Sequence, residues 1–332
     1  MEIEGVKIGP KHPPYVIAEV SCNHGGSLTN AVKLIRLAKA ANASAVKTQC
    51  YEARTITLDM NKPDFIVQDG LWKGRTLWDL YNGACTPFDW HPQLYKVARD
   101  EGITIFSSVF DKTAVDFLEE LGCPAYKIAS MEVVDIPLIR HAAATGKPMI
   151  ISTGMASEQE IKDAKDAAPE AAFLHCMSEY PGTIETSNLG GIRDLRRLLP
   201  DTIVGLSDHS EGSLAPIAAT ALGASIIEKH FGKLPGVKSE DDAFSMSVRE
   251  FAQMVAHVKQ TYAAMQPVAQ NGNPTRQVRR SLYAIKDIKK GENFTESNIG
   301  SIRPGFGLPP KMLPNLLGRK SSQDYRRGDP LR

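Results

Sequence analysis

The sequence predicts a parallel (β/α)₈ barrel, residues 1–265, followed by a linker at residues 266–279 and a small, mostly β module at residues 280–332. Three observations carry this reading. Short apolar runs alternate with amphipathic stretches from Tyr15 to Pro267. Many of those runs are apolar throughout instead of alternating, as parallel strands covered on both faces are. Eight such repeats in about 250 residues match the size of a closed (β/α)₈ barrel.

The candidate strands are Tyr15–Val20, Ala45–Gln49, Thr104–Ser107, Ala125–Ala129, Pro148–Ser152, Ala172–Cys176, Ile203–Leu206 and Ser225–Glu228. Between them lie helical patterns. Ser157 with Glu160 and Ser247 with Glu250 have capping-box spacing. Phe251, Val255, Val258 and Tyr262 recur on one helical face. An open doubly wound sheet is the alternative, but no GxGxxG follows the first run, which disfavours its dinucleotide-binding form. Past Tyr262, a stretch rich in Pro, Gly, Gln and Asn reads as a linker. The tail has short apolar runs punctuated by Gly and Pro, and some fifty residues make only a marginal core.

Composition narrows the function. Lys plus Arg is 39 and Asp plus Glu 38, so the net charge of +1 supplies no basic field for nucleic acid or a membrane surface. An anionic ligand must therefore be met by a local cluster of cations. The 5 cysteines have no CxxC pair, the start Met1-Glu2-Ile3-Glu4 has no leader pattern, and no run approaches a membrane span. A reducing cytoplasm is the expected location.

Polar residues recur where strands should end: Glu19, Lys47, Gln49, Ser108, Lys127 with Ser130 and Glu132, Ser152, Tyr180, Ser207 with His209, and His230. In a barrel these ends share the face that holds the site. Taken singly, each has a duller explanation. A strand-end lysine usually reaches solvent and a serine usually caps a helix; their recurrence after nearly every strand argues otherwise. His209 and His230 end successive units, with no cysteine nearby, and suit a borderline divalent cation with open coordination positions. The insertion Tyr51–Pro87 is long enough to be functional, and Trp72, Trp78 and Trp90 lie in it or just after it. These rings could pack the barrel top or a subunit contact, or could wall a ligand bearing methyl or acetyl groups.

The runs Ile17-Ala18-Glu19, Asn23-His24-Gly25-Gly26, Val46-Lys47-Thr48-Gln49, Ala125 to Ser130, Ser152-Thr153-Gly154-Met155, Leu206-Ser207-Asp208-His209 and Glu228-Lys229-His230-Phe231 resemble the sialic acid synthase family. The tail, with Asp287-Ile288-Lys289-Lys290-Gly291 and Arg303-Pro304-Gly305, is similar to its antifreeze-like (SAF) domain. The insertion motifs Leu71-Trp72-Lys73-Gly74, Leu77 to Tyr81 and Thr86 to His91 resemble the pseudaminic acid branch of that family.

The resemblance implies a (β/α)₈ synthase that joins phosphoenolpyruvate to an acetamido sugar, here 2,4-diacetamido-2,4,6-trideoxy-L-altrose. It implies Lys47, Ser108, Lys127, Ser130, Ser152 and Ser207 as phosphoenolpyruvate ligands. Gln49, Glu132, Tyr180, Asp241 and Arg303 would serve the sugar, with Arg303 coming from the partner in a domain-swapped homodimer. The catalytic set would be Glu19, Lys47, Lys127 and Glu132, and His209 and His230 would hold a divalent metal, manganese first, with magnesium or cobalt as substitutes. Carboxylates in so cationic a pocket are expected to stay ionised. Alternatives are a sibling synthase making N-acetylneuraminate or legionaminic acid and, from another class, a non-catalytic carbohydrate- or ice-binding protein.

Overall fold

The computed structural model describes residues 1–267 and 276–332, so the linker expected at 266–279 lies partly outside the described residues. The chain divides into two compact units, Met1–Gln266 and Pro267–Arg332.

A short hairpin, β1 (Glu2–Ile3) and β2 (Val6–Lys7), opens the first unit. Eight parallel strands then close a barrel: β3 (Tyr15–Glu19), β4 (Ala45–Cys50), β5 (Thr104–Val109), β6 (Tyr126–Ile128), β7 (Met149–Ser152), β8 (Ala172–Cys176), β9 (Val204–Asp208) and β10 (Ile226–His230). The last strand pairs with the first, placing His230 opposite Glu19 and Glu19 opposite Lys47. Gln49, Ser108 and Lys127 fall in one row across β4, β5 and β6, and Ser207 opposes Glu228.

The strands are buried almost completely, which explains their apolar character. β9 and β10 run two residues past the ends expected from the apolar pattern, to Asp208 and His230. The backbone ladder continues there while the side chains turn polar, so hydropathy stops short of the hydrogen bonding.

Helices α1 (Leu28–Ala40), α2 (Ala53–Ile56), α3 (Leu77–Ala84), α4 (His91–Glu101), α5 (Lys112–Glu120), α6 (Ile136–Ala143), α7 (Glu158–Ala167), α8 (Gly191–Leu198), α9 (Leu214–Ala221) and α10 (Val248–Met265) complete the unit. Both capping boxes form, at Ser157/Glu160 and Ser247/Glu250. Phe251, Val255 and Val258 are buried on one face of α10, and Tyr262 is half-buried. The insertion is not a plain loop, since it holds α2, α3 and a small hairpin closed by an Ile66–Thr76 bridge.

The second unit pairs β11 (Ser281–Ala284) with β12 (Ile299–Ile302) around a core of Leu282, Ala284, Ile288, Phe294, Ile299, Tyr325 and Leu331. Its C-terminus is tied in, because Leu331 donates its amide to the Leu282 carbonyl at 3.0 Å. Among the described residues no helix is long and apolar enough to cross a membrane.

Candidate active site

The strand ends bring two lysines and two carboxylates together out of water. Lys47, Lys127, Glu19 and Glu228 are all buried. Lys47 forms an ion pair with Glu19, donates to the Ser108 hydroxyl at 2.8 Å and lies 3.7 Å from Glu228. Lys127 donates to the Ile128 carbonyl at 2.9 Å and lies 3.9 Å from the other Glu228 oxygen, which accepts from Ser207 at 2.9 Å. Sequence reasoning did not single out Glu228; its signal is a lone acid in the apolar run Ile226–Ile227.

Burial alone would push the Glu228 carboxyl up, but Lys127 and Lys47 override it and hold the group at about 2. Burial also pulls both lysines down. On Lys47 the two carboxylates win and the net direction is up. On Lys127 burial wins and the net direction is down. The contrast follows from distance: Lys47 is in direct contact with Glu19, whereas Lys127 has only the looser Glu228 contact.

The ammonium pair faces a cluster of hydroxyls. Ser130 accepts the Gly154 amide at 3.1 Å, and a side chain on residue 154 would collide with the Ser130 and Ser178 hydroxyls. The Ser152 hydroxyl is buried with no protein partner. Two cations, unengaged hydroxyl capacity and a glycine turn suit a small, doubly anionic ligand. Glu132 departs from expectation. Burial lifts its carboxyl to about 7 against a downward pull from Lys127, so it is not simply held ionised.

Next to this cradle, the His209 and His230 rings lie 5.3 Å apart. His209 donates from Nδ1 to the Met177 carbonyl at 2.9 Å, which leaves its Nε2 lone pair available. His230 Nδ1 is 3.2 Å from Asp241 Oδ2, yet both atoms are buried without a well-aligned hydrogen bond. Both atoms therefore keep unspent lone-pair capacity, and an imidazole nitrogen beside a carboxylate oxygen fits a divalent cation. Among the described residues no group of three or more His, Cys, Asp or Glu side chains forms a ready metal cage. Two imidazoles alone would leave most positions of a bound cation to other ligands. A thiol does lie nearby in space, contrary to the sequence-based expectation, with Cys176 Sγ 3.9 Å from His209 Nδ1. Burial pushes that thiol up, but His209 overrides it, to about 7.

Behind the histidines, Lys229 and Asp208 form a buried ion pair at 2.6 Å. Asp208 also accepts from the Ser210 amide at 3.0 Å and hydroxyl at 2.7 Å, and Lys229 donates to the Ser210 carbonyl. This clamp ties together the two strand ends that carry the imidazoles. Asn23 performs a similar task for the loop holding Asp241, donating to the Phe231 carbonyl at 2.9 Å and to Ser245 at 2.7 Å.

Rings close the site. The Tyr180 ring is 4.2 Å from His209, the Phe244 ring is 4.8 Å from His230, and the two are 5.2 Å apart. Trp72 joins them at 6.0 Å from Tyr180 and 6.4 Å from Phe244. Trp72 and Trp90 thus part company, for Trp90 packs on His24 instead. Gln49 is half-buried beside Ser108 in the ladder. Arg303 belongs to the second unit, where it is exposed directly after β12.

A NeuB family profile matches residues 34–270 and a SAF domain profile residues 279–332. The chain is 46% identical to the pseudaminic acid synthase of Campylobacter jejuni subsp. jejuni serotype O:2, covering 96% of this chain and 95% of the relative. Identity to the pseudaminic acid synthase of Helicobacter pylori is 42%, covering 96% of each. It falls to 30% for the N,N'-diacetyllegionaminic acid synthase of Legionella pneumophila, covering 99% of this chain and 97% of that one. A crystal structure of N-acetylneuraminic acid synthetase from Leptospira borgpetersenii superposes with a TM-score of 0.74 at 28% identity, covering 84% of this chain and 94% of that one. With the lysine cradle, the paired histidines and these likenesses together, the chain belongs to the NeuB family and carries a SAF domain after its barrel.

Proposed function

We propose that this chain is a pseudaminic acid synthase, which condenses phosphoenolpyruvate with 2,4-diacetamido-2,4,6-trideoxy-L-altrose and water to give pseudaminic acid and phosphate. The observation that carries it is the 46% identity across 96% of the chain, set against 30% for a legionaminic acid relative. Lys47 and Lys127 are buried beside the same Glu228 carboxylate, a costly convergence of cations that a neutral sugar alone would not call for.

Lys47 and Lys127 hold the phosphate and carboxylate of phosphoenolpyruvate, with the hydroxyls of Ser108, Ser130, Ser152 and Ser207 around them. Glu19 and Glu228 keep the two ammonium groups charged and spaced before the anion arrives. The open-chain sugar lies against Tyr180 and Gln49, with its aldehyde toward His209 and His230. His209 and His230 would hold a divalent cation, Mn²⁺ in first place, which would supply Lewis acidity for a carbonyl oxygen.

A bond forms between the methylene carbon of phosphoenolpyruvate and the aldehyde carbon, whose oxygen takes up a proton. Water adds to the former enol carbon and gives up a proton. The hydroxyl of the resulting tetrahedral centre gives up its remaining proton to the departing phosphate as the carbon–oxygen bond to phosphate breaks, leaving the ketone. Glu132, poised near neutrality, is suited to hold or release a proton at this stage. Glu19 remains a positioning group, and Asp241 orients His230 and meets sugar hydroxyls.

The working unit in this reading is a domain-exchanged homodimer in which Arg303 reaches the partner's sugar. Ile302 and Phe306 are exposed apolar side chains beside Arg303, as a docking surface for a partner requires. The cytoplasm is the proposed location, in keeping with five unpaired cysteines.

The test is direct. Protein is incubated with phosphoenolpyruvate, Mn²⁺ and each candidate sugar in turn, phosphate is assayed and the products are weighed. Phosphate release and a nonulosonic acid product with the diacetamido sugar are expected. Release only with N-acetylmannosamine or the legionaminic precursor would overturn the assignment.

A further inference from the structure

Trp72 stands at the tip of the hairpin inside the insertion. Val67 donates to the Arg75 carbonyl at 2.9 Å and Gly74 to the Val67 carbonyl at 2.9 Å, and the turn uses left-handed backbone at Gly70 (φ 81°) and Gly74 (φ 84°). The hairpin is moored to the opposite wall of the site. Arg75 forms an ion pair at 2.6 Å with Glu240, the neighbour in sequence of Asp241. This mooring holds the Trp72 ring over Tyr180 and Phe244, each of which packs on one of the two histidines.

The indole N–H of Trp72 is buried and has no hydrogen-bond partner. Indole nitrogen can only donate, and buried indole N–H groups ordinarily find an acceptor. The acceptor that belongs here can be identified by chemistry. Phosphate and carboxylate are drawn to the lysines at the other end of the site. A neutral carbonyl oxygen attached to a methyl group suits a single uncharged donor set among aromatic faces.

Resting on the synthase reading above, we propose that Trp72 is a specificity-determining residue whose indole N–H donates to the carbonyl of one acetamido group of the sugar, while its ring and that of Phe244 receive the methyl. A site built to hydrogen-bond a substrate group discriminates strongly against analogues that lack it, because the buried donor is then left unpaired.

Trp72→Phe keeps an aromatic wall and removes the donor, and its place on a partly exposed hairpin favours folding. Steady-state kinetics are compared for wild type and variant with the diacetamido sugar and with two analogues, each carrying a hydroxyl in place of one acetamido group. The expected result is a rise of about tenfold in the sugar KM, the worth of one neutral hydrogen bond in a dry pocket, with the phosphoenolpyruvate KM unchanged. For one analogue, and only one, the variant should lose nothing further. An unchanged sugar KM would overturn the proposal, as would an equal loss with all three sugars. If the wild type instead turns over only N-acetylmannosamine, the synthase assignment fails and Trp72 is judged separately. The same comparison with N-acetylmannosamine and mannose then decides: loss of discrimination in Trp72→Phe supports the indole contact and unchanged discrimination refutes it.

Discussion

Lys229→Met should destabilise the barrel by about 3–5 kcal/mol, the usual cost of leaving one partner of a buried ion pair alone. The clamp is tight: Lys229 and Asp208 have side chains 0% and 4% exposed, and they meet at 2.6 Å. Methionine replaces the aliphatic stem, so the loss comes from the orphaned carboxylate and not from a cavity. Unfolding entropy of about 2 cal/mol/K per residue makes the shift in Tm about 5–9 °C for a unit of this size. Urea denaturation followed by circular dichroism, with the midpoint and m read together, measures it. Neutralising the other side should restore much of the loss. Asn at position 208 keeps an oxygen for the Ser210 donors, so Asp208→Asn with Lys229→Met should recover about half of it and show a coupling of about 1.5 kcal/mol or more. A loss below about 1 kcal/mol in Lys229→Met, or strict additivity in the double variant, would refute the clamp as a source of stability.

Three further outcomes are expected. The Glu132 carboxyl is raised to about 7, so its neutral form is favoured by folding, and that contribution is present below about pH 4.5 and lost as pH rises through 7. Glu132→Gln should therefore be more stable than wild type at pH 8, by on the order of 2–3 kcal/mol, and indistinguishable near pH 4; equal stability across the range would contradict this. Chelation should abolish turnover, and His209→Ala or His230→Ala should weaken Mn²⁺ binding by about a hundredfold or more in a calorimetric titration; full activity after chelation would defeat the metal reading. Mixing an Arg303→Ala chain with a His209→Ala chain should restore partial activity through one intact composite site, and no recovery in demonstrated heterodimers would place Arg303 elsewhere.

The barrel was legible because its strands are buried on both faces and so spell themselves as apolar runs with a polar final residue. Glu19, Lys47, Ser108, Lys127 and His230 could be picked out for that reason. Glu228 could not: it points at the lysines from within a strand, and a single acid in an apolar run has no pattern to announce it. The Lys229–Asp208 clamp needs two strands in register before either residue means anything. Phe244 matters only because a loop brings it against His230. The charge state of Glu132 escaped because burial, not neighbouring charge, decides it, and burial of an individual side chain is a property of the finished fold. Nor does the sequence separate Trp72 from Trp90, which the hairpin sends to different neighbours.

The seam of the barrel has a consequence for how the protein is made. β10 closes on β3, and the Asn23–Phe231 bond that fastens the seam joins residues 208 apart in the chain. Contacts so distant in sequence cannot form until both strands are available, and long-range pairing of this kind slows folding. During synthesis Lys47 and Lys127 leave the ribosome well before Glu228 and His230, so the lysine cradle and the imidazole pair are both completed only by the last strand. A chain cut short ahead of Ile226 would lack β10, and with it Glu228, Lys229 and His230. Catalytic competence is thereby gated on completion of the last strand, and a pulse-chase measurement of activity against chain length should show it arriving in one step.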